Sequence, residues 1–255
     1  MAVPNPSSPP AGSMIYGRHP VVDAIMAGVP FDKVFFQQGI RGEFEKEIRL
    51  LCRDFDIPLQ VVPRDKLSRM AGGNHQGIIG FVALLTYIDL SDLLPQLYEK
   101  GENPLLVLLD GITDVRNLGA IARSAEVAGA HALVVPKKGS ALINAEALKT
   151  SAGALSKLPV CRVDSLVSTV EWLQSAGVHV LATDLQADAV LYEAELTGPL
   201  AFIMGSEDQG VSRALLQRAD QRIWIPQRGT TDSFNVSVAA GILLYETMRQ
   251  RLLSA

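Results

Sequence analysis

The sequence predicts an α/β protein whose larger, C-terminal part is a parallel sheet covered by helices on both faces. The length of 255 residues leaves room for one large domain or two modest ones. With 48% hydrophobic and 20% charged residues, the composition is typical of a globular chain that buries a real core. From residue 104 onward, short apolar runs alternate with helix-length segments, which is the pattern of strand, helix and strand in a parallel sheet.

Composition divides the chain into four segments. Residues 1–13 have neither the basic start nor the apolar core of a signal peptide, so they predict a solvated Pro/Ser tail. Residues 14–85 predict a compact α/β unit. Residues 86–103 contain one basic and four acidic side chains, punctuated by Pro95 and Gly101, and are interpreted as a linker. Residues 104–255 form the predicted parallel-sheet domain.

In the first unit, a helix is predicted near Pro20–Ala27 and a second over Glu43–Phe55. The apolar runs that predict strands are Lys33–Gln37, Leu59–Pro63 and Gly77–Leu84.

In the second unit, helices are predicted around 118–128, 145–155, 165–176, 211–218 and 236–251. The predicted strands are Leu105–Asp110, His131–Pro136, Leu158–Val163, Val178–Asp184, Leu200–Gly205 and Arg222–Pro226. Ligands of such sheets bind at the carboxyl ends of the strands, so we expect the chemistry in the loops that follow them.

Several classes of protein are excluded at this stage. Cys52 and Cys161 lie 109 positions apart without a Cys-x-x-Cys motif, so we expect neither a disulfide framework nor a metal site, and a reducing cytoplasm fits best. The longest uncharged stretch, Met70–Ile88, is interrupted by polar residues and four glycines, so no membrane helix is predicted. The net charge of −4 does not by itself indicate a nucleic-acid-binding protein.

The loop after Asp110 reads DGITDVRNLGAIARSAEVAGA. A helix is expected to begin near Asn117, which could cap it, with Arg123 in the second turn. A capping asparagine and a solvated arginine explain these two residues as well as a functional role does.

The loop Gly205–Gly210 reads GSEDQG. Val211 and Ser212 stand where a nucleotide-phosphate loop needs Lys and Ser/Thr, so such a loop is not predicted. The glycines would let the backbone approach a flat ligand, and Glu207 supplies a carboxylate. A tight turn without any ligand is the alternative.

The third loop lies within Ile225–Glu246 and precedes a helix rich in small residues. Asp232 or Ser233 could cap that helix, but a cap alone does not explain so many polar groups. The polar residues are Thr230, Thr231, Asp232, Ser233 and Asn235.

Together the three loops carry a resemblance. They read N-x-G-x-x-x-R-S-A, G-S-E-x-x-G and I-P-x-x-G-x-x-x-S-F-N-V-S-V-A, in that order and each after a predicted strand. This set resembles the three motifs of the SpoU (TrmH) family of RNA ribose 2'-O-methyltransferases, of the SPOUT class, over about residues 105–251. IYGRHPVVDAI (Ile15–Ile25) and NHQGI (Asn74–Ile78) resemble the small L30e-like substrate-binding domain of the bacterial 23S rRNA branch.

The resemblance implies a deep trefoil knot in the C-terminal domain and a homodimer formed through it. It implies S-adenosylmethionine as cofactor, held by Gly205, Ile225 and Phe234, where many relatives have Leu in place of Phe234. Val115 and Arg116 also depart from the family's usual Asp-Pro-x-Asn. The catalytic residues that it implies are Asn117 and Arg123 on the RNA side, Ser233 and Asn235 fixing loops and cofactor, and Glu207 beside the site.

The resemblance therefore implies a cytoplasmic enzyme that methylates a guanosine ribose of 23S rRNA, without a membrane partner. The same reaction on tRNA or on another rRNA site is an alternative. A non-catalytic RNA-binding assembly factor is another, although the joint presence of the five catalytic residues argues against it. Because a guanidinium stays protonated at physiological pH, our hypothesis is that Arg123 clamps an RNA phosphate rather than acting as the base. RNA binding by an acidic chain would further require basic residues of the N-terminal unit to share one face, namely Arg18, Lys33, Arg41, Arg64, Lys66 and Arg69.

Overall fold

The computed structural model describes residues 12–187, 189–230 and 233–254. Almost all of the predicted tail, 1–13, lies outside these residues. The chain separates into an N-terminal unit that ends at Thr86 and takes in Leu142–Ala145, and a C-terminal unit made of the rest.

The N-terminal unit is a four-stranded sheet in the order β1-β4-β2-β3. β4 is antiparallel to β1 and β2, whereas β2 and β3 are parallel. The predicted helices and strands are present, and the structure adds β1 and α3, which are too short or too polar to give a periodic signal. The elements are β1 (Met14–Tyr16), α1 (Arg18–Met26), β2 (Phe31–Gln37), α2 (Glu43–Asp54), β3 (Leu59–Val62), α3 (Arg64–Met70) and β4 (Ile78–Val82).

Alternation along β2 decides which helix covers which face of this sheet. Val34 and Phe36 pack in one cluster with Ile25 of α1 and Ile48 of α2. Phe35, between them in sequence, points to the other face and packs with Leu67 of α3.

The six basic residues named for this unit do not all share one face, so the condition stated from the sequence is not met by the set as a whole. Lys33 is buried within β2. The Arg18 guanidinium lies 4.4 Å from the centroid of the Phe44 ring, on the side of α1 and α2. The Lys66 ammonium lies 5.7 Å from the Phe35 ring, on the side of α3.

The C-terminal unit is a seven-stranded sheet in the order β7-β6-β5-β10-β8-β11-β9, and every pair of neighbours is parallel. The predicted parallel sheet is thus confirmed. All six predicted strands belong to it, and only the two-residue β9 was not predicted. Its strands are β5 (Leu105–Asp110), β6 (Ala132–Pro136), β7 (Val160–Val163), β8 (His179–Thr183), β9 (Ala189–Val190), β10 (Leu200–Gly205) and β11 (Gln221–Trp224).

Five helices of this unit follow the predicted order, with shifted ends, and α4 was not predicted. The helices are α4 (Leu90–Glu99), α5 (Val115–Val127), α6 (Ala145–Thr150), α7 (Leu166–Ser175), α8 (Arg213–Leu216) and α9 (Val236–Ser254). β10 lies between β5 and β8, with Gly205 paired to Asp110. The first and second loops therefore leave the sheet side by side.

Residues 86–103 contain α4, a helix that the interpretation as a linker did not include. Leu90 and Leu94 are buried in the same core cluster as the central strands, and the Asp89 side chain caps the helix by accepting a hydrogen bond from the Ser91 amide at 2.8 Å. The interpretation as a linker relied on the acidic excess and on Pro95, and it overlooked the leucines at helical spacing.

Both cysteines are buried, in different units, and burial raises the pKa of each thiol to about 12. Within the described residues, no helix is long and apolar enough to cross a bilayer. In that same part of the chain, no group of three His, Cys, Asp or Glu side chains is placed to hold a metal ion.

Candidate active site

The first loop leads into α5, and its cap is Asp114 rather than Asn117. The Asp114 carboxylate accepts a hydrogen bond from the Arg116 amide at 2.7 Å, and this bond holds the pKa of Asp114 below its usual value. Asn117 is the third residue of the helix, so the expectation that it caps α5 is wrong. Its side chain is consequently available for contacts outside the helix.

The second loop closes on itself directly after β10. The Gly210 amide donates to the Ser206 carbonyl at 2.8 Å, and the Ser206 amide donates to the Gly210 carbonyl at 3.2 Å. A Cβ atom on Gly205 would lie 2.0 Å from the carbonyl carbon of Gly210. Gly205 is therefore needed because the chain folds back over it. The Ser212 amide also donates to Asp110 at 2.7 Å, which joins the end of this loop to β5.

The third loop ends at Asn235, the residue before α9. The Asn235 side-chain oxygen accepts hydrogen bonds from the Ser237 amide at 2.9 Å and the Ser237 hydroxyl at 2.6 Å. Asn235 is thus the cap of α9, in place of the expected Ser233 or Asp232. Thr231 and Asp232 lie outside the described residues.

One residue from each loop meets in what we call the amide–carboxylate cluster: Asn117, Glu207 and Asn235. The Asn117 amide donates to the Glu207 carboxylate at 3.0 Å. The Asn235 amide donates to the same carboxylate oxygen and to the Asn117 side-chain oxygen, the latter at 3.1 Å. Because the Asn235 oxygen is engaged with α9, its amide nitrogen is the atom that faces the cluster.

A cleft of about 540 Å³ opens beside this cluster, at the carboxyl ends of β8, β10 and β11. Gly205, Ile225 and Phe234, the three residues expected to bind the cofactor, all line it, and so do Glu207 and Ser233. The segment Thr183–Gln186 after β8 lines it as well, although the sequence analysis did not single it out. Its position after a predicted strand was the signal that could have identified it.

The charged residues that line the cleft are acidic. Its lining includes the carboxylates of Asp184, Glu207 and Asp208 and, within the described part of the chain, no lysine or arginine. Asp184 is held by Arg222, whose guanidinium lies 3.2 Å from its carboxylate. Such a cleft favours a ligand that carries positive charge and disfavours one that carries phosphates.

Arg123 is not brought to the cluster. It is exposed, and six residues of helix place it about 9 Å beyond Asn117 along α5 and on a different bearing. Its neighbour Ser124 faces α9, with its hydroxyl 3.7 Å from where a Cβ atom on Gly241 would lie. Among the described residues, Arg123 has no hydrogen-bond or ion-pair partner, so its guanidinium is available to a ligand.

The C-terminal unit is a parallel sheet that has a ligand-sized cleft and a polar cluster at the carboxyl ends of its strands. This arrangement is typical of an α/β enzyme domain, which is the class of this protein. Residues 104–245 match the SpoU rRNA methylase family, and residues 14–88 match the family of RNA 2'-O ribose methyltransferase substrate-binding domains. The chain belongs to the SpoU rRNA methylase family.

Individual relatives agree with this assignment. The chain is 40% identical over 248 residues to the 23S rRNA (guanosine-2'-O-)-methyltransferase RlmB of Yersinia pestis, covering 95% of this chain and 99% of that protein. Its fold is similar to that of the SpoU methyltransferase AviRb from Streptomyces viridochromogenes in complex with AdoMet, with a TM-score of 0.60, 26% identity and coverage of 94% and 90%. An AdoMet-bound rRNA methyltransferase from Sinorhizobium meliloti gives a TM-score of 0.59, 26% identity and coverage of 92% and 86%.

Proposed function

We propose that this protein transfers a methyl group from S-adenosylmethionine to the ribose 2'-hydroxyl of a guanosine in 23S rRNA. The observation that carries the proposal is the acid-lined cleft, free of cations within the described residues, beside a cluster built from all three loops. The Yersinia enzyme, which is similar over both units, is named for 23S rRNA, and this favours ribosomal RNA over transfer RNA as the substrate.

The residues of the cleft fit this cofactor. The bound cofactor supplies an electrophilic methyl group on a positively charged sulfonium. Gly205 and Ile225 would hold it through the main chain at the ends of β10 and β11, and Phe234 offers an exposed apolar surface. The carboxylates of the lining complement its positive charge.

The RNA side requires a positioned hydroxyl and a route for its proton. Arg123 would clamp a phosphate next to the reacting ribose and so favour loss of the hydroxyl proton to that phosphate or to water. Hydrogen bonds among Asn117, Glu207 and Asn235 join the three loops to one another. Ser233 is part of the lining of the cleft.

Two measurements test the function itself. Titration calorimetry with S-adenosylmethionine should give saturable binding. Mapping of 2'-O-methyl groups should find one guanosine of 23S rRNA that is methylated only when the protein is present. Absence of cofactor binding would favour the assembly factor, and a methylated tRNA would favour the alternative substrate.

Replacement of Arg123 with Lys tests the clamp. A lysine keeps the charge but lacks the planar fork that binds phosphate, so we expect turnover to fall by about 10²-fold at every pH from 6 to 10. Cofactor affinity should stay within twofold in calorimetry. Arg116→Lys, on the exposed side of the same helix, is the matched control and should retain its activity. Recovery of Arg123→Lys turnover at high pH would instead assign Arg123 as the base.

We further propose that the C-terminal unit is knotted, that the protein acts in the cytoplasm and that it forms a homodimer through this unit. An apolar groove of about 470 Å³ supports the dimer, with Val238 and Tyr245 of α9 exposed along it at 50% and 62%. Exposed apolar surface of this kind is typical of an interface. Ile225 lines both this groove and the cleft, so the second copy would lie next to the site.

Sedimentation at micromolar concentration should show a species of twice 27.4 kDa. Val238→Asp should shift it to the monomer, because a charge buried at such an interface has no partner. Val127→Asp, an exposed valine on α5 outside the groove, is the control and should remain dimeric. A wild-type protein found only at 27.4 kDa would contradict the dimer.

A further inference from the structure

Three strands of the N-terminal unit end at one edge of its sheet, and β4 begins there. Tyr16 at the end of β1 and Phe35 near the end of β2 both pair with Ile79, and Gln37 pairs with Val62 at the end of β3. We call the loops at this end of the sheet the arginine edge: the three that follow β1, β2 and β3, and the one that precedes β4. They comprise residues 17–19, 38–42, 63–64 and 73–77.

The arginine edge carries only positive charge. Arg18, Arg41 and Arg64 are all exposed, and none of the three forms a salt bridge with any described residue. The nearest acidic residues along the chain, Glu43 and Asp65, lie in the first turns of α2 and α3.

The rest of the unit contrasts with this edge. Asp54 and Asp56 lie at the opposite end of the sheet, before β3 begins. Arg49 and Arg53 of α2 are paired with Glu45 at 2.9 Å and with Asp54 at 3.0 Å. Among the described residues, Arg18, Arg41 and Arg64 at the strand ends thus lack the ion pairs that Arg49 and Arg53 have, while Arg69 of α3 donates to the Asp65 carbonyl at 3.2 Å.

The loops of this edge are fixed to one another. The Gln76 side chain accepts a hydrogen bond from the Arg18 amide at 3.0 Å, while the Gln37 amide donates to the Gly77 carbonyl at 2.8 Å. Gln76 has a φ of 50°, a left-handed conformation that a non-glycine residue rarely adopts. Buried His75 supports the turn, since its Nδ1 accepts from the Gly77 amide at 3.0 Å. Strained, well-supported turns of this kind are typical of binding surfaces.

An aromatic ring and free amides accompany the arginines. Tyr16 is 41% exposed, and its ring lies over Gly73, because a Cβ atom there would be 2.9 Å from the Tyr16 hydroxyl. Gln38 and Asn74, in two of the other loops of this edge, are exposed as well. Proteins recognise unpaired RNA with three kinds of group. Arginines bind the phosphates, side-chain amides bind the edges of the bases, and aromatic rings stack on the bases.

We infer that the arginine edge is the surface by which the N-terminal unit binds the RNA substrate, with Arg18, Arg41 and Arg64 on phosphates. The inference rests on the proposed function and deepens it. An acid-lined cleft does not attract a polyanion, so positive charge outside the cleft has to attract the RNA, and the arginine edge supplies such charge in addition to Arg123. It also locates the RNA at the end of the sheet rather than on either of its faces.

The double variant Arg18→Gln/Arg41→Gln tests this, with methyl transfer to a protein-free 23S rRNA transcript as the assay. Each lost phosphate contact weakens binding about fivefold near 0.15 M salt, so KM for the RNA should rise roughly 20-fold while kcat stays within twofold. The slope of log KM against log salt should fall by about 2. Arg49→Gln/Arg53→Gln removes the same charge from α2 and is the matched control, with KM expected within twofold of wild type.

Arg18 stacks on Phe44, so its loss could loosen α1. Arg41→Gln/Arg64→Gln avoids that contact and should raise KM equally, with an unchanged unfolding temperature. A KM that stays at the control value in both double variants would overturn the inference and would assign the edge to a partner other than this RNA. A wild-type protein that neither binds the cofactor nor methylates the transcript would instead refute the proposed function.

Discussion

Asn235→Asp is expected to lower methyl transfer by at least about 100-fold while α9 remains capped. Aspartate caps a helix as well as asparagine does, so the bonds from Ser237 survive. The group that faces Glu207 and Asn117, however, changes from an amide donor to a carboxylate. Two carboxylates in contact repel each other, and the second loop should move away from the third.

The effect should depend on pH. Repulsion raises the pKa of the introduced carboxyl in the folded variant above its unfolded value, which is about 4. The variant should therefore match the wild type in stability below that value and lose stability as the pH rises through the raised pKa. Activity, measured with thermal unfolding from pH 5 to 9, should recover towards the acid end.

Asn235→Ser is the matched control, because serine caps the helix but neither donates to Glu207 from the same position nor adds charge. It should lose activity by a similar factor at every pH. Full activity of Asn235→Asp at pH 8 would contradict a structural role for the amide–carboxylate cluster.

Gly205→Ala is expected to abolish cofactor binding and to destabilise the C-terminal unit. The added carbon would lie 2.0 Å from the backbone of both Gly210 and Val211, and neither can rotate away as a side chain could. The loop must open, at a cost of roughly 3 kcal/mol, which corresponds to a fall of about 6–12 °C in Tm. Cofactor affinity should fall more than about 100-fold, because the same loop lines the cleft.

Gly198→Ala provides the comparison within the same unit. A Cβ atom there meets nothing within 4 Å, and its backbone is not left-handed, so both Tm and affinity should stay near wild type. Calorimetry and thermal unfolding of the two variants side by side check the prediction. A Gly205→Ala protein that binds the cofactor normally would show that the loop does not hold it.

Strands whose residues are all buried could be predicted from the sequence, whereas very short strands could not. Leu105–Leu109 are all at most 1% exposed, so a continuous apolar run identified β5. β1 and β9 have three and two residues, too few for a period. α4 was missed because the acidic residues and Pro95 were read as signs of a linker, although leucines recur at helical spacing within it.

The candidate site could be proposed from the sequence, but the contacts among its residues could not. The motifs and the rule of strand ends placed Asn117, Glu207 and Asn235 at the correct edge of the sheet. Their contacts span 90 and 28 positions, and no local pattern reports such a distance. The two functions of Asn235, and the need for glycine at 205, depend on backbone placement that only the folded chain reveals.

Asn235 also connects the beginning of α9 to the three loops. The Asn235 oxygen accepts a hydrogen bond from the first turn of that helix and its nitrogen donates to Glu207, so fraying of that turn would also weaken the contact with Glu207. Local opening of that single turn would separate Asn235 from Glu207 and Asn117 while the sheet remains folded.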